Sequence, residues 1–219
     1  MEFKIILDFL KKLKKNNNRE WFTENKTKFV EAKDAFEPAV QKLIDEISKF
    51  DKSLADVQAK QCIYRIYRDI RFSKDKTPYK TNLGAVMGEG GRKSTKAFYY
   101  IQLEPGDNSF IAGGLYMPEA DKLKKIRQEI DYNSDDLRKI LNKKSFKDYF
   151  PELEGEKLKK APKGYSPDDP NIELLKYKSY IVVHRFKDTQ VVADDFGKNC
   201  VKIFKEMKPF NDFLNTAIS

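Results

Sequence analysis

Along residues 2–15 the apolar positions Phe3, Ile6, Leu7, Leu10 and Leu13 recur three and four apart, with lysines between them. That spacing puts them on one stripe and predicts an amphipathic first helix facing a core. Asn16-Asn17-Asn18 closes it. Asn17 followed by Glu20 reads as a capping box opening a second helix through Trp21, Phe22, Lys26, Phe29 and Val30. Pro38 is expected to kink that helix or to begin a third through Val40, Leu43, Ile44 and Ile47. Trp21, the single tryptophan, reads as a core anchor beside Phe22.

Near residue 64 the period changes. Tyr64, Ile66, Ile70 and Phe72 fall on one face of a predicted strand, interrupted by Arg68, with Arg65, Tyr67, Asp69 and Arg71 on the other. Lys76-Thr77-Pro78 ends the run as a loop. The apolar stretch 83–87 leads to the loop 88–94, which ends in the Lys-Ser of a P-loop but has Arg92 and Met87 where glycines are required, so it reads as a connector. Residues 97–104 and 109–116 form two strands around Pro105-Gly106-Asp107-Asn108, a hairpin. Pro118 suits the first turn of a helix through Leu123, Ile126 and Ile130, and Ser134 begins another through Leu137 and Leu141. An extended, lysine-rich loop over 157–170 precedes a short helix at 171–177 and a strand at 180–186. From Asp194 the chain reads as helix, bent or broken at Pro209. The expected architecture is a single α+β domain, mainly an antiparallel sheet with N- and C-terminal helices packed on it. Helices occupy 2–50, the sheet and a basic loop 58–117, and a helical part 118–219.

Several stretches carry a family resemblance: Asn16 to Phe22, Arg65 to Thr81, Tyr100 to Gly106, Gly113 to Pro118, and Pro162-Lys163-Gly164-Tyr165 leading to Lys178-Ser179-Tyr180. In these the chain resembles the bacterial and fungal family called domain of unknown function 2461, from near its first helix to its end. The resemblance implies an α+β single domain and brings with it no assigned catalytic residue.

Composition narrows the function classes. The chain has 43 basic and 34 acidic residues in 219, a formal charge of +9, which attracts polyanions only where the cations cluster. A mean hydropathy of −0.71 and the lack of any long apolar run argue against a membrane partner. Cys62 and Cys200 lie in apolar contexts without ligand spacing and read as buried, reduced thiols of a cytoplasmic protein. His184 is the single histidine, so a histidine-based metal site or paired-histidine chemistry is not expected. No cofactor motif appears, and no metal is assigned.

The candidate site is the segment from Arg65 to Thr81, with six cations and two aspartates in seventeen residues. Arg65, Arg68, Arg71, Lys74, Lys76 and Lys80 are the expected anion-binding residues, supported by Tyr67, Asp69 and Tyr79. Arg65 and Arg71 are read as bidentate phosphate forks and the lysines as mobile point charges. Arg68, on the apolar face, is expected to pair with a buried carboxylate. The expected partner is an anionic, phosphate-bearing small molecule, with nucleic acid as an alternative. Rival readings are an enzyme on a phosphorylated substrate, using Asp69 as base or metal ligand, and a protein-interaction domain.

Overall fold

The structure, a computed structural model, describes residues 2–219. Its first helix, α1 (Glu2–Lys15), buries Ile6, Leu10 and Leu13 as its spacing predicts. The asparagine run then ends it, but Asn18 rather than Asn17 caps α2 (Arg19–Glu24), accepting the Trp21 amide at 2.9 Å. α3 (Lys26–Ser48) runs straight through Pro38 and lays Phe36, Val40, Leu43 and Ile47 against the core, with α1 packed along it. Proline removes the bond to the carbonyl four residues back. Here Pro38 and Asp34 both face water, so that carbonyl is solvated and the buried stripe holds the helix together. The short α4 (Ala59–Cys62) follows, its first amide bonded to the Gln41 side chain at 2.9 Å.

Four strands form one antiparallel sheet in the order β1 (Leu83–Met87), β2 (Phe98–Leu103), β3 (Ser109–Leu115) and β4 (Tyr180–Phe186). The fold class is α+β, as the sequence indicated. β2 alternates between half-buried and buried positions, while β1 is buried throughout. The β2–β3 turn is the expected Pro105–Asn108 hairpin, with Gly106 and Asp107 both at positive φ.

By its contacts the chain divides into two units. The first runs to Lys93 and adds Tyr100–Ile111 and Arg185–Lys202. It holds α1 to α4, β1 and α8 (Asp188–Val191), and its core joins Phe3, Phe186 and Phe196 edge to face at about 5 Å. Asp188 also grips the hairpin turn, accepting the Gly106 and Asp107 amides at 2.9 and 3.0 Å.

The second unit comprises Ser94–Tyr99, Ala112–His184 and Ile203–Ser219. It contains α5 (Ala120–Asn142), α6 (Lys144–Lys147) and α7 (Ile172–Leu175), with the greater part of α9 (Phe196–Ile218). α5 begins two residues after Pro118 and kinks at Asn133, the point from which Ser134 reads as a fresh start. Pro209 lies inside α9 without breaking it; like Pro38 it faces water, as does Lys205 four residues back. Tyr99 packs edge-on against Phe204, and Asn215 accepts the Ala97 amide at 2.8 Å. His184 is half-buried, its Nδ1 3.2 Å from the Tyr149 carbonyl, and burial lowers its pKa. That is a structural setting. Among the described residues no helix is long and apolar enough to cross a membrane.

Candidate anion-binding groove

The stretch read as a strand from Tyr64 to Phe72 is not one. Only its first part pairs: Ile63 bridges Ala85 of β1, and the Tyr64 amide donates to the Gly84 carbonyl at 2.9 Å. The chain then makes a hairpin-like excursion, closed where Tyr67 bridges Tyr79 and the Lys80 amide reaches the Ile66 carbonyl at 2.8 Å. Two short acids explain why the alternation fails. Asp69 accepts the Arg71 amide at 3.3 Å and Asp75 the Thr77 amide at 2.9 Å, each folding back on the backbone two residues on and bending the chain out of a ladder. Ile66 is buried as predicted, whereas Ile70 is only half-buried and Phe72 stands 97% exposed at the loop's tip.

The base of the excursion is clamped to α2. Asn17 donates to the Tyr79 carbonyl at 2.9 Å and accepts its amide at 3.2 Å, imitating a strand neighbour. Phe22 stacks on Tyr79 with ring centroids 3.9 Å apart, and Tyr67 leans on both rings. Tyr79 is thus a buried packing residue. Trp21, the expected core anchor, is half-buried against Phe9.

The six cations fall into distinct settings. Arg68 does not enter the core. Its side chain is 25% exposed, and the guanidinium is the hub of the loop itself, donating to Asp75 at 2.5 Å, to the Thr77 carbonyl at 3.1 Å and to the Thr77 hydroxyl. Its carboxylate partner is therefore a loop residue open to water, not a buried acid. The amide of Thr77 and then the Arg68 guanidinium hold the Asp75 carboxyl at a pKa of about 2. Arg71 forks onto Asp69 through Nε at 2.9 Å and Nη2 at 2.6 Å, and these bonds lower the Asp69 pKa. Lys76 donates to the Ile70 carbonyl at 3.0 Å. Lys74 is exposed on the loop.

Arg65 and Lys80 differ from these. Among the described residues neither has a carboxylate partner. Lys80 is half-buried with its Nζ 5.1 Å from the centre of the Tyr64 ring, and burial, then the Arg65 charge, lowers its pKa. Arg65 and Tyr67 also line a groove of about 680 Å³ in the first unit. Its floor is apolar, from Phe29, Phe36, Ile63, Ile66 and Leu83, and Tyr64 and Tyr67 supply rings at its side. Lys33, Lys60, Arg65 and Arg92 face it, against a single acid, Glu37, which already lies 3.8 Å from Lys33. Arg92 is fixed by the Lys60 carbonyl at 3.2 Å and by that of Ile63. Sequence reading missed Tyr64, Lys60 and Arg92 as site residues. Arg92 was visible only as the residue that spoils a P-loop, and no local pattern ties it to Arg65.

Next to this groove a polar chain runs along β2. Tyr100 donates to Gln102, Gln102 to Glu104, and Thr81 to Glu104, each at 3.0 Å. Burial, reinforced by Tyr64 and Glu104, pushes the Tyr100 hydroxyl up to about 12, so it stays a donor at neutral pH. Among the described residues no three acidic, cysteine or histidine side chains come together as a metal cage.

The family model described as conserved hypothetical protein (DUF2461) matches residues 5–213. The chain belongs to this family. No curated protein and no solved structure matches it. Membership leaves the chemistry of the groove to be argued from the groove.

Proposed function

We propose that this protein binds a phosphate-bearing ligand at the groove, held by Arg65 on its lining and by Lys80, which lies over the groove-lining Tyr64 ring. The observation that carries the reading is the placement of two cations outside any ion pair: Arg65 lines the groove beside Tyr64, Lys80 lies 5.1 Å over the Tyr64 ring, and the one acid that feels the Arg65 charge, Asp69, is already forked by Arg71. Like charges brought together in a fold cost free energy unless something negative intervenes. A phosphate supplies that charge, Arg65 offers it a planar fork, and the apolar floor with the Tyr64 and Tyr67 rings suits an attached organic group. Of the six cations in the segment, Arg68, Arg71 and Lys76 serve the loop that follows Tyr67, and Lys74 is a peripheral charge. We also propose a cytoplasmic setting, supported by two free, buried cysteines, Cys62 and Cys200.

Thermal-shift titration with inorganic phosphate, sulfate, nucleotides and sugar phosphates tests this. A ligand at 100 times its Kd adds about 2.7 kcal/mol of stability. The gain is expected to vanish in Arg65→Gln and Lys80→Gln, and to persist in Arg71→Gln. Phosphate compounds that protect all three variants equally, or none of the wild type, would refute the proposal.

A further inference from the structure

Phe72 is almost wholly exposed, yet it sits on a loop that is far from slack. Arg68 ties together Asp75 and Thr77, Lys76 caps the Ile70 carbonyl, and Asp69 turns the chain just before the tip. Fixing a loop in one shape costs conformational entropy, and here the internal bonds hold a large aromatic ring out in water. The Arg71 guanidinium lies 5.9 Å from the centre of that ring, leaving ring surface free. Two more rings along the same stretch are partly open: Tyr64 at 37% and Tyr67 at 46% exposure. Each has cations near it. Lys80 lies over Tyr64, and Arg65 stands between the two tyrosines in sequence and lines the groove with both.

Accessible rings interleaved with cations match a polymer of flat, stackable groups joined by phosphates. We infer that the stretch from Tyr64 to Phe72 is a platform for single-stranded nucleic acid, with bases stacking on Tyr64, Tyr67 and Phe72 and phosphates passing Arg65, Lys80 and Lys74. This rests on the phosphate-binding reading of Arg65 and Lys80 and extends it from one anion to a strand. Three rings call for three bases. Tyr64 and Tyr67 are at most about 11 Å apart along the chain and Tyr67 and Phe72 at most about 18 Å, within the reach of a few nucleotides. A duplex is a poor fit, since its bases are stacked on one another and closed to a side chain. A lipid surface is also a poor fit: Phe72 is the one large apolar side chain that the loop exposes, Ile70 being half-buried.

Fluorescence anisotropy with end-labelled oligothymidylate and oligouridylate of two, six and twelve nucleotides tests the inference, over a range of salt concentrations. Affinity is expected to rise from two to six nucleotides. With three phosphates held, log K should fall against log salt with a slope of about −2. Arg65→Gln should weaken binding and reduce that slope by about 0.7. Phe72→Ala should weaken binding roughly 5- to 150-fold with the slope unchanged, and its unfolding midpoint should match the wild type because the ring touches little. Binding of either polymer supports the inference, and a difference between them traces to the 2′-hydroxyl or to the thymine methyl group. Absent binding at low salt overturns it, as does binding indifferent to Phe72→Ala or equal competition by a duplex of the same length. Phe72-dependent binding to phosphatidylserine vesicles without oligomer binding would make the tip a membrane contact instead. If oligomers fail while free phosphate still protects in an Arg65-dependent way, the strand inference falls and the anion site stands; if both fail, both fall.

Discussion

Arg65, Arg68 and Arg71 lie within seven residues of one another, and their surroundings predict three different responses to the same substitution, glutamine. Arg68 has the most to lose. Its bond to Asp75 adds little, because that carboxylate is 59% exposed and the pair is screened. The Thr77 carbonyl and hydroxyl are better placed, and a hydrogen bond from a charged donor contributes about 1.5–3 kcal/mol. A ceiling applies as well: if the loop opens while the rest stays folded, the variant loses no more than the free energy of closing the loop. Together these put Arg68→Gln at about 1–3 kcal/mol. Arg71 holds Asp69 with two bonds, but its side chain is 76% exposed and the fork spans only two residues, so Arg71→Gln should not move the unfolding midpoint measurably. Arg65 makes no ion pair among the described residues, the one acid that feels its charge, Asp69, is already forked by Arg71, and its loss relieves Lys80 of a neighbouring charge. Arg65→Gln should be as stable as the wild type or slightly more so.

Urea unfolding at pH 7 in phosphate-free buffer, followed by far-ultraviolet circular dichroism, reads all three. With a urea slope of about 1–3 kcal/mol per molar, the Arg68 variant should unfold roughly 1 M earlier. Hydrogen exchange at the Lys80 amide, which closes the excursion onto Ile66, should quicken in Arg68→Gln alone. If Arg65→Gln costs as much as Arg68→Gln, Arg65 is holding structure and the ligand reading of it is wrong. If Arg68→Gln changes neither quantity, the guanidinium is not the hub of the loop.

Two further outcomes follow from the same geometry. Ile66, 2% exposed between Arg65 and Tyr67, anchors the groove floor, so Ile66→Ala should cost about 2–5 kcal/mol in a urea titration; a loss under 1 kcal/mol would mean that the floor is not packed. Asp75, with its folded pKa depressed to about 2 from 3.8, contributes stability that is fully present above pH 4 and lost as pH falls through 2. Carbon NMR titration should find its midpoint near 2 in the wild type. In Arg68→Gln the midpoint should rise yet stay below the ordinary value, since the Thr77 amide remains; an ordinary midpoint in the wild type would contradict the loop geometry.

Much of the fold was legible because burial imposes a period. α1, β4 and the β2–β3 hairpin follow their patterns closely, as do the stripes after Pro38 and across Pro209, whereas the single helix expected from Trp21 to Val30 breaks at Asn25 and leaves Val30 exposed. What sequence could not settle was whether proline interrupts a stripe, since that depends on which side of the helix faces water. The larger failure lies at Tyr64 to Phe72. Alternation there is real through Ile66, but Asp69 and Asp75 each fold onto the backbone two residues later, and such local bonds compete with a ladder without altering the hydrophobic pattern. The phase of Arg68 and Phe72 was therefore inverted, one turning into the loop and the other into solvent. The cations could be listed from sequence, but which of them already had partners could not. Nor could Lys33, Lys60 and Arg92, which reach the groove from α3, α4 and the loop after β1.

The disposition of the acids bears on whether the groove holds a ligand or transforms one. A general base works best with a pKa near the operating pH. Both oxygens of Asp69 are engaged by Arg71, and the bonds lower its pKa, making it a weaker base than an ordinary aspartate. Asp75 is weaker still, held by Thr77 and Arg68. A cation seeking either carboxylate has to displace a guanidinium that is already bonded to it. Glu37, the one acid lining the groove, has Lys33 beside it, and Tyr100 keeps its proton at neutral pH. The acids are bound up in positioning the loop, whereas Arg65 and Lys80 are in no ion pair among the described residues, the Arg65 charge reaching only an Asp69 that Arg71 already holds. That asymmetry favours a site built to grip an anion over one built to move a proton.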